Sequence, residues 1–241
     1  MYTSAKKSCS TICMLWLLFV SSQSFALDYR ELFGYTYIKA ERNTEKLRPI
    51  LQKYAGQYKE DAVLMEAVIF PEVMRYNKLY NAIETGSLIS LYSRFGSVYS
   101  DFSIGLLQMK PTFALSIEQY LLKHKDLPWV KELGFDKLSV KADYESRMAR
   151  VDRLNNTEWQ IKYLVAMLKC IELKHSILNT ASADEKLRFI AAAYNCGWNK
   201  PTKVINSYIS KKFYHIDHWA SDTYSFSDVA LYRYNELNKP A

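Results

Sequence analysis

The chain predicts a mainly α-helical protein, and three observations carry that prediction. Seven Gly and six Pro among 241 residues are too few for a turn-rich β protein or a disordered one. Apolar residues recur at helical spacing, as in Leu47, Ile50, Leu51 and Tyr54. Ser182-Ala183-Asp184-Glu185, ahead of Leu187, Ile190, Ala191 and Tyr194, is a capping box opening a helix.

Taken in order, residues 1–26 read as a secretory signal rather than part of the fold. Lys6 and Lys7 precede the apolar run Cys13–Val20, and Ser24-Phe25-Ala26 ends it with small residues at the two positions a signal peptidase reads. The run is too short to span a bilayer, which needs ~20 residues, and no later stretch is long and apolar enough. Residues 27–241 are then long enough for a single domain with one sizeable core.

Within that domain, a helix is predicted over about 44–58. From Asp61, the positions Val63, Leu64, Ala67, Val68, Pro71 and Met74 describe one buried face, with Pro71 kinking the helix or restarting it. The Gly, Ser and aromatic content of 84–104 predicts an exposed loop region with a short hairpin. Phe113, Ile117, Tyr120 and Leu121 restore helical spacing after Pro111, and Pro128 and Gly134 punctuate a connector. Residues 143–153 read as a charged short helix or loop. A long helix runs from Glu158 to about Asn179, with Asn155-Asn156-Thr157 as its cap or as a glycosylation acceptor. The capping-box helix ends at Gly197. From Phe213 onward the chain is rich in Tyr and Trp without a clear period.

The net charge is +7, with Lys and Arg scattered rather than blocked. That suits an exported protein meeting anionic wall polymers, and equally suits ordinary solubility. No nucleic-acid motif accompanies it. Four His show no metal-ligand spacing, and His215 with His218 make at most a partial site, so no metal or cofactor is expected. Outside the signal, Cys170 and Cys196 lie at similar heights if their helices form an antiparallel hairpin. A disulfide and two buried thiols are both open.

The candidate chemistry centres on Glu72, at the polar end of Ala67-Val68-Ile69-Phe70-Pro71. A carboxyl group among apolar neighbours stays protonated because burial disfavours its charge, which suits proton donation to a departing glycosidic oxygen. Glu66 has an equally apolar neighbourhood, so local context does not choose between them. Two later segments add to the case. In Ser103-Ile104-Gly105-Leu106-Leu107-Gln108-Met109-Lys110-Pro111, Gly105 permits close backbone approach, Gln108 offers donor and acceptor to sugar groups, and Met109 is a pliable apolar wall. Ala191-Ala192-Ala193-Tyr194-Asn195-Cys196-Gly197 allows close helix packing and ends in two polar residues. Asp101 is a candidate second carboxylate or a turn-stabilising Asp.

Together, Ile69-Phe70-Pro71-Glu72, the Gly105–Pro111 segment and Ala192–Gly197 resemble the soluble-type lytic transglycosylases, whose fold is goose-type-lysozyme-like. That resemblance implies a lysozyme-like helical domain with a short loop or hairpin beside the cleft, its motif core at about 60–200 and flanked by N- and C-terminal extensions. It selects Glu72 over Glu66 and makes Glu72 the single acid and then base. It puts Gln108, Met109, Ser103 and Gly105 along the sugar cleft, brings Tyr194 up to Glu72, and lets Asn195 contact substrate or hold the loop. The implied substrate is the peptidoglycan glycan strand. It would be cut between N-acetylmuramic acid and N-acetylglucosamine with a 1,6-anhydro product, outside the cytoplasm and by a monomer without cofactor. The chain departs from the family pattern at Val73, Phe102-Ser103 and Lys110, and in the longer stretch between Glu72 and Gly105, which the resemblance makes an insertion over about 84–100 at the cleft rim. A lysozyme-like hydrolase on the same fold and a non-catalytic wall-binding protein are the alternatives.

Overall fold

A computed structural model describes residues 27–76, 78–216 and 222–239. The expected signal segment, and His218 and Trp219, lie outside the described residues. The protein is mainly α-helical. Helix α1 (Tyr29–Tyr58) begins where the Asp28 carboxylate accepts the Arg30 and Glu31 amides, and it changes direction at Gly34. Asp61 caps α2 (Ala62–Arg75) in the same way, accepting the amides of Val63 and Leu64. Pro71 neither ends nor restarts α2, which runs on unbroken to Arg75.

Helix α3 (Lys78–Phe95) corrects the expected loop over 84–104. Its end is fixed by Gly96, which adopts positive φ and returns its amide to the Tyr92 carbonyl. Arg147 adds a second stop, donating to the carbonyls of Ser93 and Arg94. The irregular stretch is therefore 96–110, and its one tight pairing joins Ile104 to Met109. Helix α4 (Pro111–Leu122) starts on Pro111 at a position that has no N–H bond to lose. The expected connector contains a short helix, α5 (Pro128–Leu133), closed by Gly134 at positive φ. Asp143 caps α6 (Tyr144–Asn155), and Asn156 caps α7 (Thr157–Lys174), followed by a 3₁₀ turn at Ser176–Asn179. Both arms of the capping box at Ser182 are present at the start of α8 (Ala183–Cys196). Beyond it lie α9 (Thr202–Ile209), strands β1 (Lys212–Tyr214) and β2 (Tyr224–Ser225), paired antiparallel, and α10 (Phe226–Leu237).

Two helices are buried almost all round. Helix α2 packs on α1, α8 and α10, whereas α7 packs on α1, α4 and α6. Each half is tied by a buried carboxylate. Glu66 of α2 accepts from Thr44 at 3.1 Å, Arg48 at 3.1 Å and Arg233 at 2.8 Å, joining α1, α2 and α10. Glu118 of α4 accepts from Arg150 at 2.7 Å, Arg153 at 2.9 Å and the Tyr163 hydroxyl, joining α4, α6 and α7. Arg150 also donates to Tyr92 at 2.8 Å, which ties in α3. That contact explains why a Gly- and Ser-containing stretch is helical: its aromatic side is held by tertiary bonds that propensity does not report.

The cysteines are both free thiols. Helices α7 and α8 do not form the expected antiparallel seam. Cys170 is buried in the α7 core near Tyr120, while Cys196 sits at the end of α8 beside a surface cleft.

Glu118 is fully buried and Arg150 is 1% exposed, so removing the carboxylate charge strands a guanidinium without a counter-ion. Glu118→Gln is expected to cost ~3–5 kcal/mol in urea unfolding. A cost below about 1 kcal/mol would mean that the cluster does not hold these helices together.

Candidate active site

Glu72 lies in the last turn of α2, where a fully packed helix reaches a cleft of about 510 Å³. Its side chain keeps 13% exposure. Arg75, one turn on, donates to it at 3.2 Å from Nη1. The same guanidinium donates through Nε to the His215 carbonyl at 3.0 Å and lies over the Tyr214 ring at 4.3 Å. Tyr214 in turn donates to the Pro71 carbonyl at 2.7 Å. The β1 segment therefore clasps the end of α2 from both sides of Arg75.

Burial raises the Glu72 carboxyl above its ordinary range, and the opposing pull of Arg75 and the more distant Lys110 does not cancel that effect. Glu66 goes the other way. Burial alone would raise it, but hydrogen bonds from Arg48 and Arg233 hold it below the usual carboxylate value. Two glutamates with similar sequence neighbours are thus separated by their cations. Glu66 is held toward its anion by arginines from two other helices, and Glu72 is shifted toward its acid form at the edge of the cleft.

Facing Glu72 is the 103–110 hairpin. Gly105 adopts φ of +69°, and a Cβ there would stand 2.2 Å from the Gln160 amide nitrogen and 2.8 Å from the Leu154 carbonyl. Gly105 is therefore a packing position beneath the hairpin and not one of the residues lining the cleft. Gln160 of α7 is the brace. Its Nε2 donates to the Ile104 carbonyl at 2.7 Å and its Oε1 accepts the Leu107 amide at 3.2 Å. Gln108 also has positive φ and spends one amide N–H on the Gly105 carbonyl at 2.8 Å, while lining the cleft. Met109 and Ser103 line it as well.

Tyr194 and Asn195, from the end of α8, line the opposite part of the cleft. The Tyr194 hydroxyl donates to the Leu107 carbonyl at 2.6 Å, so its proton holds the hairpin. Burial and the neighbouring Glu72 charge raise Tyr194 well above the ordinary phenol range. Asp101 lines the cleft too, but Thr112 donates to it from Oγ1 at 2.9 Å and from its backbone amide at 3.2 Å. It caps the first turn of α4, which is the turn-stabilising role.

The structure thus gathers Glu72, Ser103, Gln108, Met109, Tyr194, Asn195 and Asp101 around one cleft and leaves Gly105 beneath it. Sequence reasoning missed Arg75, Gln160 and the Tyr214–His215 clasp. Arg75 alone carried a local signal, the i+3 spacing to Glu72. Among the described residues, no group of His, Cys, Asp and Glu is arranged to hold a metal ion, and no helix is long and apolar enough to cross a membrane. No family model, curated protein or solved structure matches the chain.

The raised Glu72 carboxyl has a signed consequence for stability. Its unfolded value is 4.5, so folding is favoured by protonation at this site below that pH, and the advantage fades as pH rises through the higher folded value. Glu72→Gln removes the ionisation. Its melting temperature relative to the unaltered protein should rise between acid and neutral pH. A constant difference across that interval would show that Glu72 titrates normally.

Proposed function

We propose that the protein is a peptidoglycan lytic transglycosylase with Glu72 as its single acid and base. The observation that carries the reading is one partly desolvated glutamate, held by Arg75 and raised by burial above the usual carboxylate range, in a cleft lined by Gln108, Met109, Tyr194 and Asn195. Glu72 protonates the oxygen between N-acetylmuramic acid and N-acetylglucosamine, and the bond from the muramic C1 to that oxygen breaks. The muramic C6 hydroxyl attacks C1 and gives its proton to the Glu72 carboxylate. The products are a 1,6-anhydro sugar end and a free C4 hydroxyl, and Glu72 returns to its acid form with no water consumed.

Arg75 supports the middle of this cycle. Glu72 is an anion only between donating one proton and accepting the next, and a guanidinium 3.2 Å away stabilises that anion. Gln108, with one amide N–H held by Gly105, presents its amide oxygen for a sugar hydroxyl or acetamido N–H. A hydrolase of the inverting kind needs a second carboxylate to direct water. The other cleft carboxylate, Asp101, is occupied by Thr112, which favours the intramolecular route. The location that fits this substrate is outside the cytoplasm, in line with the secretory character of residues 1–26.

Purified peptidoglycan digested with the protein should yield fragments one water lighter than hydrolysed ones, by mass spectrometry. Reducing ends instead of anhydro ends would select the hydrolase. Glu72→Gln should lower turnover ~10²–10⁴-fold. Glu66→Gln should act through folding, lowering the melting temperature while the folded fraction keeps its turnover. Binding without any cleavage by the unaltered protein would select a wall-binding protein.

A further inference from the structure

Lys110 interrupts the apolar segment that otherwise matches the family pattern, and the structure places it on the cleft. It is the residue that precedes α4, with the hairpin residue Met109 before it and its carbonyl accepting the Ala114 amide at 3.1 Å. Its charge is close enough to Glu72 to pull on that carboxyl. Lys200 joins it from the turn between α8 and α9. That turn is firmly held. The Trp198 indole donates to Ser116 at 2.9 Å, the buried His175 ring contacts the Trp198 carbonyl at 3.2 Å and Thr202 at 2.9 Å, and the Lys200 amide returns to the Gly197 carbonyl at 3.3 Å.

The charge balance of the cleft is unequal. Arg75, Lys110 and Lys200 face Glu72 and Asp101, Arg75 is committed to Glu72 and His215, and Asp101 is committed to Thr112. Among the described residues, neither Lys110 nor Lys200 forms an ion pair. The side chains of Lys110 and Lys200, on fixed backbone, therefore line the cleft without a carboxylate partner, and the Lys200 ammonium also lies over the Tyr208 ring at 5.4 Å.

We infer that Lys110 and Lys200 form a carboxylate-recognising subsite, which makes the cleft selective for an anionic glycan over a neutral one of the same backbone. The inference deepens the proposed function and rests on it. The carboxylate it would take is the lactyl group of N-acetylmuramic acid, the feature that separates this glycan from chitin. Partly exposed ammonium–carboxylate contacts contribute modestly, so each lysine should contribute ~2–5-fold in affinity.

The test measures binding by calorimetry with Glu72→Gln protein, so that cleavage does not interfere. The probes are a peptide-free oligosaccharide of alternating N-acetylglucosamine and N-acetylmuramic acid, the same oligosaccharide with its lactyl carboxyls converted to methylamides, and a chitin oligomer of equal length. At low salt, the carboxylate form should bind roughly 5- to 10-fold tighter than the other two, and the gap should narrow as salt screens the charges. Adding Lys110→Met and Lys200→Met should bring the three affinities together without weakening the chitin oligomer, while Lys110→Arg with Lys200→Arg should keep the gap. Equal binding of all three by the lysine-intact protein would overturn the subsite and leave the cleavage reading standing. So would a preference that survives both methionine substitutions. Binding of none of the three would overturn both.

Discussion

The structure depends on how α2 disposes of two carboxylates. A helix buried on nearly every side cannot carry an uncompensated charge, and α2 carries Glu66 and Glu72. Glu66 is neutralised from α1 and α10 by Arg48 and Arg233, and those ion pairs decide which helices flank α2. Glu72 receives a single guanidinium from its own helix, and burial raises its carboxyl above the ordinary range. The packing that makes α2 the centre of the core also raises the carboxyl in its last turn. Both carboxylates meet desolvation, offset by two arginines at Glu66 and only partly offset by one at Glu72.

The second wall of the cleft is built by hydrogen bonds to backbone. Gln160 and Tyr194 spend their polar atoms on the 104–107 hairpin from beneath and beside it, and Gly105 leaves the space that Gln160 occupies. Gln108 is then forced to positive φ, a conformation costly for a residue with a Cβ, and its own amide helps to hold it there. Strain at one residue facing the cleft is thus borne by three buried contacts around it.

Much of the helical layout was legible because caps and periodicity are local signals. Asp61, Ser182 and Gly197 each mark a boundary that the structure keeps. The failures share one physical cause. The part of α3 from residue 84 onward reads as a loop because its Gly and Ser content is poor for isolated helices, while Tyr92–Arg150 and the Arg147 cap act across distances in sequence that pattern reading does not span. In the cleft, residue types with sugar-like chemistry, Glu72, Gln108 and Asn195, could be named from sequence. Their supports could not, since Gln160 and Tyr214 are ordinary core residues until the fold brings them to Gly105 and Pro71. The ambiguity between Glu66 and Glu72 was real at the level of neighbours and is resolved only by cations from elsewhere.

The clasp of β1 on Arg75 has a consequence for the order in which this site comes into being. Arg75 meets His215 across 140 positions, and Glu66 meets Arg233 across 167. Closing contacts of that span costs chain entropy that nearby contacts do not incur. Until the segment from β1 to α10 has been made and docked, Glu66 lacks one of its two arginines and Arg75 has no His215 carbonyl to orient it. The cleft is therefore among the last features of the molecule to be completed. A nascent chain therefore carries Glu72 and Arg75 long before the residues that close around them, His215 and Arg233 among them, have been made.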